Sequence, residues 1–336
     1  MNIVIAANIF PPEIGGPAQY AANIHREFKA LGNKSTVVTY GILKKFPTGI
    51  RHILYFFRLL PHILGADLII SLDQFSVGFP AVCAARLLGK KVFIRIGGDF
   101  LWEFYVERTR DLVLLRNFYL DAIGKLNAKE RLIFAVTSWT LRHADALVFT
   151  TVWQKDIFLE PYHLQSKKIL VIENYYGKRQ EEPSFSVSKK EFIGAVRDLK
   201  WKNKERLMKA FERVKNLIPL ATLNLEPAPY AEFVKRMEEA YAVALVSLGD
   251  VSPNMILDAL RLGKPFILTR ETGLYEKLKD VGLFVNPESE EEIANAFMTM
   301  ARPEMYQEYV RKVRAFSFTH SWKQICEEFL TIANRV

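Results

Sequence analysis

The chain has 336 residues, half of them apolar and a quarter charged, a balance that fits a folded globular protein and excludes a disordered or fibrous one. Domains usually take about 100–200 residues, so two are expected. The two cysteines, Cys83 and Cys326, stand far apart and exclude a disulfide framework or a Cys-rich metal site, and the formal charge of +9 is uneven, with 21 Lys+Arg against 14 Asp+Glu in residues 1–175 and 25 against 23 in residues 176–336.

A basic first half reads either as a solvated face or as an attraction for an anionic partner: a phospholipid surface, a polyprenyl phosphate or a nucleic acid. No zinc-finger spacing, RNP aromatics or Arg-rich tract supports nucleic acid. No uncharged apolar run approaches the ~20 residues of a transmembrane helix. The opening MNIVIAANIF lacks a basic n-region and reads as a strand, not a signal peptide. A cytoplasmic protein is the expectation.

In chain order, Asn2 to Ala7 is a β-rich run, followed by the Pro- and Gly-rich loop Phe10 to Pro17. Ala18 to Leu31 has helical spacing and stops at Gly32; Ser35 to Tyr40 is the next strand. Strand, Gly-rich loop, helix, strand is a βαβ unit and implies a parallel sheet. Lys44 to Leu64 is basic and aromatic-aliphatic, with Ile50, Leu54 and Phe57 at helical spacing and Arg51 and Arg58 on another side. It suits either a core helix with a basic edge or a membrane interface. Strands follow at Ala66–Leu72, Lys91–Ile96, Ala146–Thr150 and Ile169–Ile172, with a helix at Phe75–Leu88 and one long helical stretch over about 104–143.

Residues 177–190 are polar and aperiodic and read as a linker. The alternation restarts with a strand at Glu191–Val196 and runs through strands at 221–225, 242–248, 265–269 and 283–285, with helices between and after them, to a last helix at Trp322–Ile332. The expected fold is α/β: two Rossmann-like doubly wound domains, 1–176 and 191–318, joined by the linker 177–190 and closed by a C-terminal segment, 319–336.

Three loops carry chemistry. Gly15-Gly16 after the first strand offers backbone N–H groups with no side chain in the way, at a helix start where phosphate binds; a plain turn is the other reading. It is not G-x-G-x-x-G, which speaks against a dinucleotide cofactor and an NAD-dependent oxidoreductase. Arg197 and Lys202 follow the strand that ends near Gly194, at the carboxyl edge where parallel sheets bind ligands. Arg grips phosphate oxygens bidentately and Lys adds a point charge, although a solvated basic turn has the same composition. The third is Gly249 to Asp258. Ser252 suits an N-cap and Pro253 a first helical position. Asp250 reads as a turn aspartate or a sugar-facing one, and Asp258 as an ion-pair partner of Arg261 or a ligand for a ribose diol.

Taken together, these segments resemble the GT-B glycosyltransferases of family 4. FPPEIGGPAQYAANIHREFKALGNKSTVVTYG is similar to that family's opening, and GAVRDLKWKNKERLMKAF to its G-R-L-x-x-x-K segment, with Arg197 and Lys202 at the matching spacing. Asp250 and Asp258 match the two acids of its E-x7-E motif, and FTHSWKQICEEF looks like the C-terminal helix that crosses back to the first domain.

The resemblance implies a retaining glycosyltransferase that needs no metal or bound cofactor. A nucleotide-diphosphate sugar, UDP- or GDP-linked, is the co-substrate, held between the two domains, and a glycan or lipid-linked molecule is the acceptor. It implies donor contacts from Gly15, Gly16, Arg197, Lys202, Ser252, Asn254 and Asp258, and catalytic roles for Arg197, Lys202 and Asp250. Relatives with envelope or lipid-linked acceptors suggest surface polysaccharide or glycolipid synthesis and a peripheral position on the inner face of the plasma membrane.

The chain departs from the family pattern at four places. Both E-x7-E acids are Asp, and Ser252-Pro253-Asn254 replaces a Gly-containing loop, removing one N–H at Pro253. No His follows the strand ending Arg95-Ile96-Gly97-Gly98, where many relatives carry a catalytic-site His; Asp99 is the nearest polar residue and the candidate for that catalytic role. The second domain is short between Leu217 and Ala242. A GT-B-fold sugar-nucleotide epimerase, an inverting transferase and a catalytically inactive nucleotide-sugar-binding partner subunit are the alternatives.

Overall fold

The computed structural model describes residues 1–13, 15–180, 189–194 and 198–335. They gather into two compact units, each built around one parallel sheet covered by helices.

The first unit comprises Met1–Leu101, Leu126–Tyr175 and His320–Val336. Its strands are β1 (Asn2–Ala7), β2 (Lys34–Thr39), β3 (Leu68–Ser71), β4 (Val92–Ile96), β5 (Ala146–Phe149) and β6 (Ile169–Val171), side by side in the order β2-β1-β3-β4-β5-β6. β1, β3, β4 and β5 are Val/Ile/Leu/Phe-rich and buried almost throughout, the pattern of strands covered on both faces. Ile3 pairs with Ser35 on one side and Leu68 on the other. The last helix, Trp322–Arg335, supplies Ile325, Cys326, Phe329 and Ile332 to this unit's core, beside Ile5, Ile24, Phe28 and Phe93. Trp322 meets the Tyr20 ring edge-on at 5.3 Å and stacks on Tyr175 at 5.0 Å. The expected return of the C-terminal helix to the first domain is therefore a packed interface with its own aromatic clasp.

The second unit comprises Trp102–Lys125 and Tyr176–Thr319. Its strands are β7 (Lys190–Gly194), β8 (Ala221–Asn224), β9 (Ala242–Leu245), β10 (Phe266–Thr269) and β11 (Leu283–Val285), ordered β11-β10-β9-β7-β8 and all parallel. The helices Lys204–Val214 and Glu290–Ala301 cover one face through Leu207, Phe211, Ile293 and Phe297. The helix Asn254–Arg261 covers the other through Ile256, Leu257 and Leu260.

Two expectations change. The long helical stretch is three helices, Phe100–Thr109, Leu115–Asp121 and Ala128–His143. Arg110, left-handed at φ 59°, ends the first, and a capping box between Asn127 and Glu130 starts the last. Helical periodicity runs through such breaks when their residues have no strong turn chemistry. Residues 102–125, expected in the first domain by their place in the chain, pack instead within the second unit. Of the expected linker, 181–188 lie outside the described residues. Before them, the Gln180 N–H donates to the Arg261 carbonyl at 2.9 Å and the Arg179 side chain donates to the Arg314 carbonyl.

The basic aromatic segment forms the helix Thr48–Ile63, which buries His52, Tyr55, Leu59 and Ile63 and leaves Ile50, Ile53 and Phe57 exposed. Among the described residues no helix is long and apolar enough to cross a membrane.

Candidate functional site

In the second unit the chain leaves β7 for β8 on one side, then returns to β9 on the other. The carboxyl ends of β7 and β9 are thus the switch point of the sheet, the place where open α/β sheets bind ligands. The loops that follow β7, β9 and β10 are laced together there by backbone hydrogen bonds. Leu248 N donates to Trp201 O at 2.9 Å, Asp250 N to Glu271 O at 2.9 Å and Gly273 N to Asp250 O at 3.3 Å. Asn203, left-handed and buried, donates its side-chain N–H groups to the carbonyls of Val246 and Pro287 at 3.0 and 2.7 Å.

That framework presents two of the residues expected from the sequence to each other. Lys202 Nζ lies 2.6 Å from Asp250 Oδ2, with the two side chains only 12% and 11% exposed. The ammonium also sits 4.2 Å from the Trp201 ring centroid. A cation and a carboxylate are thus desolvated together at the ligand edge. The first can meet a phosphate oxygen, and the second can accept from a sugar hydroxyl. Arg197, the other cation expected here, lies outside the described residues.

Residues 102–125 cover this edge from one side. Leu115 N donates to Leu248 O at 3.2 Å, Lys200 N donates to Glu107 Oε1 at 2.6 Å, and the Trp102 and Trp201 rings lie 5.6 Å apart. A Cβ on Gly249 would fall 2.5 Å from Leu115 Cβ and 3.2 Å from the Trp102 ring, so only glycine fits. Arg116 Nε pairs with Glu271 Oε2 at 2.6 Å. Burial raises the Glu271 carboxyl above its ordinary range, and Arg116 opposes that rise. Neither Arg116 nor Glu271 carries a local sequence signal, because their partnership spans 155 positions.

Asp258, in the helix Asn254–Arg261, receives the Tyr230 hydroxyl at 3.0 and 3.1 Å and sits 3.7 Å from Arg261 Nε. The ion pair weighed from the sequence is therefore present but long, and the nearer partner, Tyr230, was not anticipated. Burial raises this carboxyl too, against the pull of Tyr230 and Arg261. Ser252 is not the N-cap expected. Pro253 takes that position with an extended ψ of 114°, no side-chain cap bond forms, and the Pro253 carbonyl accepts from Ile256 and Leu257. A proline whose ψ stays extended starts the helix one residue later than a proline at its first position. Ser252 is half-buried and Asn254 exposed.

In the first unit, Gly15 has φ 155°, a conformation that favours glycine, and Gly16 is already the first residue of the helix Gly16–Ala30. The pair is thus a helix start with no side-chain cap, which leaves its backbone N–H groups facing outward from the helix end. Asp99, at the end of β4, is buried, and its Oδ1 accepts from Leu101 N at 3.1 Å. Two other charged residues of this unit carry no motif in the sequence. Asp73, after β3, accepts from the N–H groups of Phe75, Val77 and Gly78. Arg95 lies buried 3.9 Å over the Tyr20 ring and donates to Asn174 at 2.7 Å.

No protein-family model and no curated protein sequence matches the chain. Solved structures match it over its whole length. The sucrose-phosphate synthase of Thermosynechococcus elongatus superposes with a TM-score of 0.71 at 13% identity, covering 99% of this chain and 98% of its own. HepE of Anabaena, in complex with UDP, gives 0.69 at 13% over 100% of both chains. The lipopolysaccharide outer core galactosyltransferase WaaB, in its apo form, gives 0.66 at 12%, again over 100% of both. These neighbours are GT-B glycosyltransferases. Two parallel α/β units with a C-terminal helix returned to the first give this chain the GT-B fold.

Proposed function

We propose that the chain is a retaining glycosyltransferase of the family 4 type that moves a sugar from a UDP- or GDP-linked donor to a glycan or lipid-linked acceptor in surface polysaccharide or glycolipid synthesis. The observation that carries this reading is the desolvated Lys202–Asp250 pair at the switch point of the second sheet. The complex of HepE with UDP, in the same fold, supports a nucleotide sugar as the ligand.

In this reading Lys202 and Arg197 neutralise the charge that grows on the departing diphosphate, a contribution of several kcal/mol. Because side-chain cations take that charge, no metal ion or bound cofactor is required. Asp258 accepts from the ribose hydroxyls, and Gly15, Gly16, Ser252 and Asn254 line the path of the donor. Asp250 addresses the transferred sugar, and Asp99 is the polar group nearest the position of the family's histidine. The exposed Ile50, Ile53 and Phe57, flanked by Lys44, Lys45 and Arg58, support a peripheral contact with an anionic membrane from the cytoplasmic side.

The test is a panel of UDP-, GDP- and ADP-sugars followed by nucleotide release, with the product anomer read by NMR. One donor should turn over, with retained configuration, and turnover should persist in EDTA. Nucleotide binding without turnover would favour the inactive partner subunit, and inversion an inverting transferase. Loss in EDTA with rescue by Mn²⁺ or Mg²⁺ would assign the leaving-group charge to a metal. If no nucleotide binds, the reading falls.

A further inference from the structure

The second unit holds a cavity of about 220 Å³ between the 110–112 turn, residues 198–209 and Glu290. Five cations line it: Arg110, Lys200, Lys204, Arg206 and Lys209. Three carboxylates stand among them, and Lys200 is already paired with Glu205 at 2.7 Å. Among the described residues Arg110, Lys204 and Lys209 form no ion pair. The walls are fixed to each other by the bond from Lys200 N to Glu107 Oε1. The local field is positive: the Glu205 carboxyl is held below its ordinary value by Lys200 first, then by Lys209 and Arg110.

Two observations distinguish this cavity from the Lys202–Asp250 edge. None of Lys202, Asp250, Ser252, Asn254 or Asp258 lines it. Its volume also falls below the roughly 300–1,000 Å³ usual for drug-sized ligands, which suits a small anionic group. Five cations against three carboxylates leave the cavity with a net charge of +2, more than one further carboxylate satisfies. A phosphoryl group, with about two negative charges and three acceptor oxygens, matches it.

We propose that this cavity binds the phosphoryl group of a small phosphorylated molecule other than the donor. That group belongs either to a phosphorylated acceptor or to a free effector, and the chemistry of the cavity is the same for both.

Glucose 6-phosphate is a suitable probe, titrated calorimetrically into the full chain with the donor site filled by UDP, and with glucose as the uncharged control. Binding should occur for the phosphate and not for glucose. It should weaken about 10-fold or more in Lys204→Ala/Lys209→Ala and stay unchanged in Lys279→Ala, an exposed cation outside the cavity. Lys209→Ala alone, at an exposed position, serves as the variant least able to disturb folding. Glycosylation of the probe, seen as added mass, identifies an acceptor-borne phosphate; a changed donor KM with no such product identifies an effector. No binding, equal binding in the double variant, or an equal loss in Lys279→Ala would overturn the proposal.

Discussion

The Tyr230 hydroxyl lies 3.0 and 3.1 Å from the two carboxylate oxygens of Asp258, closer than the Arg261 guanidinium at 3.7 Å. Asp258 is thus held by a neutral donor in a place where burial raises its pKa. A carboxylate whose folded pKa is raised is at its most favourable when protonated, and it loses stability as pH climbs through that value. At neutral pH the Asp258 charge therefore costs stability. Asp258→Asn removes the charge and keeps an acceptor for Tyr230, so the melting temperature should hold or rise. Nucleotide affinity should fall about 10- to 100-fold if the carboxylate holds the ribose. Calorimetry with UDP and GDP beside a melting curve checks both. A variant that melts early and binds normally makes Asp258 a structural residue.

In the proposed reading Lys202 both pairs with Asp250 and meets the donor diphosphate, and the two parts separate by mutation. Lys202→Ala leaves the Asp250 carboxylate buried without its cation, a loss of about 3–5 kcal/mol. It should also lower turnover by roughly 100-fold or more. Lys202→Met with Asp250→Leu replaces the pair by apolar groups and should regain most of the stability while turnover stays low. Denaturant melts and single-donor kinetics on the three proteins decide. Near-normal turnover in the double variant would remove the pair from the chemistry.

The first unit should be acid-labile through His52. Its ring lies 5.0 Å from Phe75 and 6.3 Å from Phe79, and burial first, then Arg51, pushes its pKa down to about 4. The folded value lies below the unfolded one, near 6.5. Stability is therefore full above the unfolded pKa and lost as pH falls toward the folded one, by about 2 kcal/mol at pH 5. The raised carboxyls of Asp73, Asp258 and Glu271 act in the opposite sense. The comparison that isolates the imidazole is wild type against His52→Leu, melted at pH 7 and pH 5. The variant should lose less on acidification; parallel shifts would exonerate His52.

Membrane contact should depend on the outward side of the helix Thr48–Ile63. Ile53 and Phe57 are 60% and 61% exposed, so Ile53→Ser/Phe57→Ser leaves the core intact. The change should reduce flotation with anionic liposomes, and salt should weaken what binding the wild type shows. Equal flotation with neutral and anionic vesicles, or none at low salt, would make a soluble acceptor the better assignment.

Where hydrophobic runs are short and buried on both faces, sequence and structure agree closely, as at Asn2–Ala7 and Phe266–Thr269. Lys202 and Asp250 were legible because both sit on loops beside strand ends that the alternation marks out. Their partnership was not, since 48 residues separate them. Tyr230, Glu271 and Arg116 act through contacts that cross the chain, and no local pattern records such a contact. The 104–143 stretch failed for a related reason. Its breaks rest on a left-handed Arg110 and on the Asn127 cap, while its packing face is set by Leu248 and Gly249, far along the chain.

The helix that contributes Ile325, Cys326 and Phe329 to the first core has a bearing on how the protein is made. During synthesis the chain from Met1 to Tyr175 emerges early, yet the core beside its helix Gly16–Ala30 stays incomplete until the helix Trp322–Arg335 emerges. The second unit has its strands, and the Trp102–Lys125 segment that packs within it, once Thr319 has emerged. Domains usually fold in the order they are made; in this chain the later unit can close first. The earlier one waits with Phe28 without its partner Phe329, which makes that interval the stage most exposed to aggregation.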